Sequence, residues 1–307
     1  MNRLILGTRG SALALAQVEL TKRALRAVLP ELVAEEKIFV TRGDKKLDLS
    51  LIRASEAGDK GLFTKELEDE LLSGDIDVAV HSLKDLPGHN PPGLAVTAVL
   101  ERAPTGDVLI TKEPLALRGL PANAIVGTSS VRRVRQLQWI RPDLQAVEWR
   151  GNVQTRLRKL AERNDVAGII LAQAGLERLG HDLTEGLLAT EAGNFSVQSL
   201  AADFFPAIGQ GAIALQSRAD RPEVTAVLEK IDHRETHLAI RAERELQRLL
   251  AGDCALPVGV RTTVSPESVH LQAILFGEEG VSPKQAEGAA ATPEEAAAKV
   301  FAGLDWK

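Results

Sequence analysis

Four short stretches place glycine, small hydroxylic residues and arginine directly after an apolar run: Gly7-Thr8-Arg9-Gly10-Ser11, Val80-His81-Ser82-Leu83-Lys84-Asp85, Gly127-Thr128-Ser129-Ser130-Val131-Arg132-Arg133 and Arg150-Gly151-Asn152-Val153-Gln154-Thr155-Arg156. Each reads as a strand-to-helix junction. A helix N-terminus offers free N–H groups and a partial positive charge. Glycine and small hydroxylic side chains let an anion approach that backbone, and arginine adds a fork for carboxylate or phosphate. Any one junction is explained as well by an ordinary N-cap beside a surface arginine. Four of the same chemistry weaken that explanation. None is a phosphate P-loop, because no Gly-x-x-x-x-Gly-Lys occurs.

Charge points the same way. The chain carries a net −5 over 307 residues. Yet from Ala124 to Leu160 seven arginines (Arg132, Arg133, Arg135, Arg141, Arg150, Arg156, Arg158) and Lys159 stand against only Asp143 and Glu148. This asymmetry suggests an anionic ligand, with a solvated basic helix face as the bland reading. A nucleic acid is disfavoured, because aromatics for base stacking make up only 3% of the residues. Asp85 lies just past a strand end in cationic surroundings, where a carboxylate either balances charge or stabilises a cationic intermediate and moves protons. Cys254, the single cysteine, sits in the Gly-containing turn Gly252-Asp253-Cys254-Ala255-Leu256-Pro257. It is either a small buried hydrophobe or a chemically used thiol. The six histidines show no metal-ligand spacing, so no metal is expected.

The elements that would position these residues follow from periodicity. Strands are expected at Arg3–Leu6, Lys37–Val40, Ile76–Val80 and Leu94–Leu100, with helices at Ser11–Leu29 and Phe63–Leu72. The rhythm restarts with strands Ala124–Val126, Ala146–Trp149 and Gly168–Ala172 and helices Val131–Ile140 and Val153–Glu162. Two βαβ units in tandem imply mostly parallel sheets and two domains with a cleft between them. In such sheets ligands bind at the carboxyl ends of strands, where all four junctions fall. Glu101–Leu120 and Phe195–Gly211 read as the crossings. A smaller α+β segment follows: helix His233–Leu250, strands Val258–Val264 and Val269–Phe276, a Gly-Ala loop Ala286–Ala291 and helix Thr292–Ala302. A hydrophobic fraction of 44% and a charged fraction of 26% suit a soluble globular protein. The lack of a long apolar run, of a secretory leader and of a second cysteine predicts a cytoplasmic protein without membrane contact.

Taken together these motifs resemble the porphobilinogen deaminase (hydroxymethylbilane synthase) family. The matching segments also include Val40-Thr41-Arg42-Gly43-Asp44, Lys60-Gly61-Leu62-Phe63, Ala174-Gly175-Leu176, Ala207-Ile208-Gly209-Gln210-Gly211, Glu243-Arg244 and the Cys254 turn, in family order. The resemblance implies a transferase that condenses four porphobilinogen molecules head to tail into hydroxymethylbilane, releasing four ammonias. Chain growth occurs on a dipyrromethane cofactor joined by a thioether to Cys254. Each pyrrole brings an acetate and a propionate. By motif position Lys84, Ser82, Thr128, Ser129, Ser130, Arg132 and Arg133 are the cofactor contacts. Arg9, Ser11, Arg150, Gly151, Arg156 and Arg178 would meet the substrate. Asp85 would be the catalytic carboxylate, with Arg9 or Arg150 assisting proton transfer to the departing amine. Asp48–Lys60 would be a mobile lid, with Lys60 and Phe63 at its end. The implied fold is two periplasmic-binding-protein-like α/β domains (1–100 with 198–219, and 105–196) plus an α+β domain (222–307) bearing the cysteine, in a monomer. Two departures stand out: Asp253 replaces a usual glycine, and Leu256 replaces a usual β-branched residue.

Overall fold

A computed structural model describes residues 1–39, 64–251, 256–277 and 280–306. The chain opens with β1 (Arg3–Arg9), α1 (Ala12–Val28) and β2 (Val33–Phe39), and continues with α2 (Lys65–Ser73), β3 (Val78–Ser82) and β4 (Leu94–Val99). Ser11 caps α1, its Oγ accepting from the N–H of Ala14 at 3.3 Å. The buried residues Ala14, Val18, Thr21 and Leu25 fall three to four apart, so one face of α1 lies on the sheet. Gly74, in the left-handed conformation, ends α2.

Residues 100–106 cross to the second domain. There the chain forms β5 (Asp107–Thr111), β6 (Ile125–Gly127), α3 (Val131–Ile140), β7 (Gln145–Val147), α4 (Val153–Glu162), β8 (Val166–Ala172), α5 (Gln173–Arg178), β9 (Leu187–Thr190) and β10 (Gly193–Ser199). The chain then returns, and β11 (Ile213–Arg218) inserts between β3 and β4. The strand orders are β2-β1-β3-β11-β4 and β7-β6-β8-β5-β10-β9. Both sheets are mixed rather than mostly parallel. β11 runs antiparallel to β3 and β4, and β5 runs antiparallel to β8 and β10, because each adjoins a crossing and enters its sheet from the opposite end. Each of these two bodies is a mixed sheet with helices packed on it, in line with the two α/β domains expected.

The helix α6 (Pro222–Leu228) and the following turn supply Val224, Val227, Leu228 and Ile231 to the same core as Leu4, Leu6, Val78 and Leu215. The sequence reading had opened the third segment here, but these apolar side chains pack on the first sheet. The small C-terminal domain comprises α7 (Arg234–Leu249), β12 (Val258–Val264), β13 (Val269–Leu275), β14 (Lys284–Ala290) and α8 (Pro293–Gly303), with an antiparallel sheet ordered β12-β13-β14. Its core gathers Ala242, Leu246, Val260, Leu271 and Val300.

Three expectations need correction. The Gly-Ala stretch is a strand, not a loop. A Cβ on Gly288 would lie 2.8 Å from Lys299 Cβ and 3.1 Å from the carbonyl of Ala296, so the close approach of α8 demands small residues there. The stretch Glu101–Leu120 contains the fully buried β5, and Phe195–Gly211 begins with the end of β10. The strand anticipated at Lys37–Val40 already starts at Val33.

Candidate active site between the domains

The first two junctions meet in one place. Gln17, one turn into α1, donates to Ser82 Oγ at 2.7 Å and ties the β1 end to the β3 end. Around this link lies a cavity of about 70 Å³ lined by Arg9, Ser11, Gln17, Thr64, His81, Ser82 and Asp85. Asp85 closes the single 3-10 turn Leu83–Asp85 and is solvent-exposed. Gly209, at φ +70°, fits behind that turn.

Lys84 is accessible to solvent yet deeply surrounded by protein, as a side chain in a water-filled crevice would be. Desolvation lowers its ammonium to about 8, and the charges of Arg133 and Arg156 push the same way against the opposing pull of Asp85 and Asp107. Arg156 is likewise held at about 10, first by burial and then by Arg133 and Arg150, with Asp85 opposing. The end of β3 in one domain thus faces the third and fourth junctions in the other at electrostatic range.

On the second domain, Thr128 is buried and its Oγ1 accepts from Ser130 N–H at 3.3 Å. Ser129 Oγ accepts from Trp149 N–H at 2.9 Å, fixing the β6 end against the β7 end. Ser130 stands at the N-cap of α3 but makes no side-chain capping bond. Gly151 adopts φ +115° where a Cβ would meet Thr155 Cγ2 at 2.7 Å. Asn152 then caps α4, accepting from Thr155 N–H at 2.8 Å. Arg156 Nε donates to the Gly151 carbonyl at 2.7 Å, and Arg150 Nε donates to Glu148 at 2.7 Å. Arg178 Nη2 reaches the Gly211 carbonyl of the return crossing at 2.6 Å, and burial lowers its guanidinium to about 10.

Arg132 and Arg133 are placed differently from simple surface forks. Both are buried and both grip Asp107, with further donors spent on the carbonyls of Phe205 and Ile170. Burial opposes ionisation of Asp107, but the two guanidiniums outweigh it and hold its carboxyl well below the usual carboxylate range. Cys254 with Asp253, and Lys60 and Phe63, lie outside the described residues.

Sequence reasoning passed over several residues of the site. His81, part of the second junction but given no role there, is buried on the cavity wall. Burial, then the charges of Arg9 and Arg244, depress its imidazole to about 4, while the bond to Gln216 opposes them. Its neutral ring donates Nε2–H to Gln216 Oε1 at 3.0 Å, and Gln216 Nε2 donates to Glu68 Oε1 at 3.2 Å. Desolvation raises the Glu68 carboxyl. Thr64 Oγ1 is buried on the cavity without a partner among the described residues. A bulky polar residue on the end of the apolar run Val78-Ala79-Val80, still within the strand, is the available signal for His81; nothing marks Thr64.

The donor set suits a multiply carboxylated ligand: guanidiniums, an ammonium and hydroxyls converge, and while Asp107 and Glu148 are held by arginines, the Asp85 carboxylate lines the cavity. Among the described residues no group of three or more His, Cys, Asp or Glu could hold a metal ion. Such an arrangement suits the binding of an anion with several carboxylates.

Comparison with known proteins identifies the family. Residues 4–226 match the model described as porphobilinogen deaminase, dipyromethane cofactor binding domain, and residues 237–304 match the porphobilinogen deaminase C-terminal domain. The porphobilinogen deaminase of Syntrophomonas wolfei is 44% identical over 91% of this chain and 87% of its own length. Those of Carboxydothermus hydrogenoformans and Desulforudis audaxviator are 42% and 45% identical, each over 95% of this chain and 90% of their own. The ligand-binding component of an ABC-type import system from Staphylococcus aureus is 13% identical, with a TM-score of 0.42 over 80% of this chain and 73% of its own, a likeness too slight to carry an argument. The chain belongs to the porphobilinogen deaminase family, the hydroxymethylbilane synthases: transferases of tetrapyrrole and heme biosynthesis that work on a dipyrromethane cofactor. The same two-domain architecture would also suit a non-catalytic protein that binds an anionic solute, and membership of this family sets that alternative aside.

Proposed function

We propose that the described cleft is where this chain joins porphobilinogen units, with the residue roles that follow. The observation that carries the reading is the meeting of Asp85 with Arg9, Ser11 and Ser82 on one cavity, opposite the Arg150–Arg156 junction. Arg9, Ser11, Arg150, Gly151, Arg156 and Arg178 hold the acetate and propionate of the incoming pyrrole. Lys84, Ser82, Thr128, Ser129, Ser130, Arg132 and Arg133 hold the carboxylates of the cofactor. Tethered at Cys254, dipyrromethane supplies the nucleophilic pyrrole end to which the first unit is added.

The substrate's C–N bond breaks as ammonia leaves, and positive charge spreads into the pyrrole. The Asp85 carboxylate, fixed by its turn, stabilises that charge through the ring N–H and again when the next pyrrole attacks. Arg9 and Arg150 assist proton transfer to the departing amine. The first domain brings the carboxylate, the second the basic junctions and the third the tether. No described helix is long and apolar enough to cross a membrane; the protein acts on its small-molecule substrate as a cytoplasmic monomer.

Intact-protein mass spectrometry with turnover assays tests this reading. Wild type is expected to carry the mass of one dipyrromethane, and Cys254→Ser none. Asp85→Ala is expected to fold and to lose about 10²-fold or more in kcat, the usual scale for one electrostatic stabiliser. An unmodified, active wild type sinks the tether, and an Asp85→Ala kcat within threefold of wild type removes Asp85 from the chemistry.

A further inference from the structure

At the junction of the two crossings one carboxylate holds two cations. Asp107 opens β5, and its side chain is wholly buried. Its Oδ2 accepts from Arg132 Nη1 at 2.8 Å, and its Oδ1 accepts from Arg133 Nη2 at 2.7 Å and Nε at 3.1 Å. Gln210, on the return crossing, donates to Asp107 Oδ1 at 2.8 Å and to the Thr105 carbonyl of the outward crossing at 2.6 Å. Arg102, also on the outward crossing, donates Nε to the Gln210 carbonyl at 2.9 Å and presents its fork to Glu243 at 2.6 and 3.0 Å. Glu243 lies on α7 of the C-terminal domain and accepts from Gly209 N–H and Thr262 Oγ1, each at 2.8 Å. A continuous polar chain therefore runs from the C-terminal domain through both crossings to the two arginines of the second domain.

Charge balance separates this cluster from a structural ion pair. Buried charges are ordinarily paired, because an uncompensated one is costly. Here one carboxylate serves two buried guanidiniums, so one positive charge is in surplus, and Lys84 and Arg156 add to it at electrostatic range of Arg133. Arg132 Nε is buried with no acceptor among the described residues. Holding α3 to β5 would need one arginine. Two, with an unsatisfied donor, fit a wall that an incoming carboxylate completes.

We propose that Asp107 is the positioning residue of this anion site: it fixes the direction of Arg132 and Arg133 and, through Gln210, joins that direction to the geometry of the two crossings. The proposal rests on the reading that both arginines meet carboxylates of the cofactor. Asp107 touches neither substrate nor cofactor and acts through its two partners. Asp107→Asn keeps the size and one acceptor but removes the charge that two forks share, so both ion pairs are lost: one neutral oxygen serves two forks, beside the carbonyls of Phe205 and Ile170 and a 3.4 Å bond from Arg132 Nη2 to Gln210 Oε1.

The test is the covalent state of the purified full chain, read by intact mass beside a thermal melt. Folded Asp107→Asn is expected to carry dipyrromethane on at least fivefold fewer chains than wild type. Its loaded fraction, charged with limiting porphobilinogen, is expected to show shorter covalent substrate complexes. Asp107→Glu, restoring the charge, is expected to recover part of the loading. A purely structural role lowers the melting temperature but leaves folded molecules fully loaded with the wild-type spread of complexes, and that result overturns the proposal. If Asp107→Asn does not accumulate folded, Gln210→Ala decides: it leaves both ion pairs and removes the tie from Asp107 to the crossings together with the 3.4 Å bond from Arg132 Nη2, with at least threefold lower loading expected and full loading overturning the proposal. Arg133→Met separates the two levels. Full loading of that variant defeats the cofactor assignment of the arginines, whereas its loss beside a fully loaded Asp107→Asn defeats only the role of Asp107.

Discussion

Gly209→Ala should disable the enzyme more than it unfolds it. Gly209 lies at φ +70°, and an added Cβ would stand 2.2 Å from Leu83 Cδ2, 3.0 Å from Lys84 N and 3.2 Å from the Leu83 carbonyl carbon. Carbon atoms rest at about 3.5–4.0 Å, so something must retreat by about 1 Å or more. Leu83 cannot swing aside, being buried among Leu86, Val99, Ala212, Ala214 and Ile240. The crossing cannot retreat freely either, because Gly209 N–H is held by Glu243 at 2.8 Å. The Leu83–Asp85 turn therefore moves and takes the Asp85 carboxylate with it. Misplacement of about 1 Å costs about 10²-fold in rate, or about 2.7 kcal/mol of barrier. The left-handed backbone adds roughly 1–2 kcal/mol of folding cost. The assay is kcat/KM of the loaded enzyme beside a thermal melt, with Gly93→Ala as control. Gly93 has φ +85° but meets nothing nearer than Leu72 Cδ2 at 3.7 Å, so it carries the backbone strain without the clash. Gly209→Ala is expected to lose about 10²-fold in kcat/KM and Gly93→Ala to lose only melting temperature. The reasoning is refuted if Gly209→Ala stays within threefold of wild type, or if both variants lose activity alike.

Two further outcomes follow from the same geometry. Lys84, held near 8 by burial and by neighbouring guanidiniums, is charged below that pH and neutral above it, whereas an ordinary lysine keeps its proton to about 10.5. Loading of cofactor-free enzyme with dipyrromethane, followed by intact mass, is therefore expected to fall as pH climbs through 8. Lys84→Arg, cationic throughout, should flatten that fall, and an unchanged profile in the variant would acquit Lys84. Glu243→Ala leaves Arg102 without the buried carboxylate that binds its fork at 2.6 and 3.0 Å. Breaking such a pair costs about 3–5 kcal/mol, or roughly 10 °C of melting temperature at about 2–4 °C per kcal/mol. A calorimetric loss under about 2 °C would mean that the crossings do not depend on this pair.

What could be read from the sequence divides along the range of the interactions involved. Ser11 and Asn152 cap helices through N–H groups three residues away, so their junctions are visible as contiguous motifs. Arg9, Ser82 and Asp85 converge because a βαβ unit brings strand ends together, and periodicity alone predicts that. β14 was misread because glycine and alanine disfavour strands in isolation, whereas the partner that requires them, α8, is a tertiary neighbour. The mixed strand directions were hidden for a related reason: they depend on where each crossing enters its sheet, which no local pattern records.

The same distinction governs the arginines. Arg132 and Arg133 read as anion ligands from their place after Thr128-Ser129-Ser130, but their principal partner in the fold lies 25 and 26 residues upstream, in a stretch that reads as a mere connection. Glu243 is 141 residues from Arg102 and 34 from the Gly209 N–H it accepts. Residues that touch a ligand cluster in sequence because a single backbone turn presents them. Residues that aim those side chains are drawn from whichever element packs behind the turn, and in a protein whose chain crosses twice between domains that element is remote. The polar chain through Glu243, Arg102, Gln210 and Asp107 joins the C-terminal domain to the anion site, so substitutions along it should lower cofactor loading and shorten the covalent complexes although none of these residues meets the ligand.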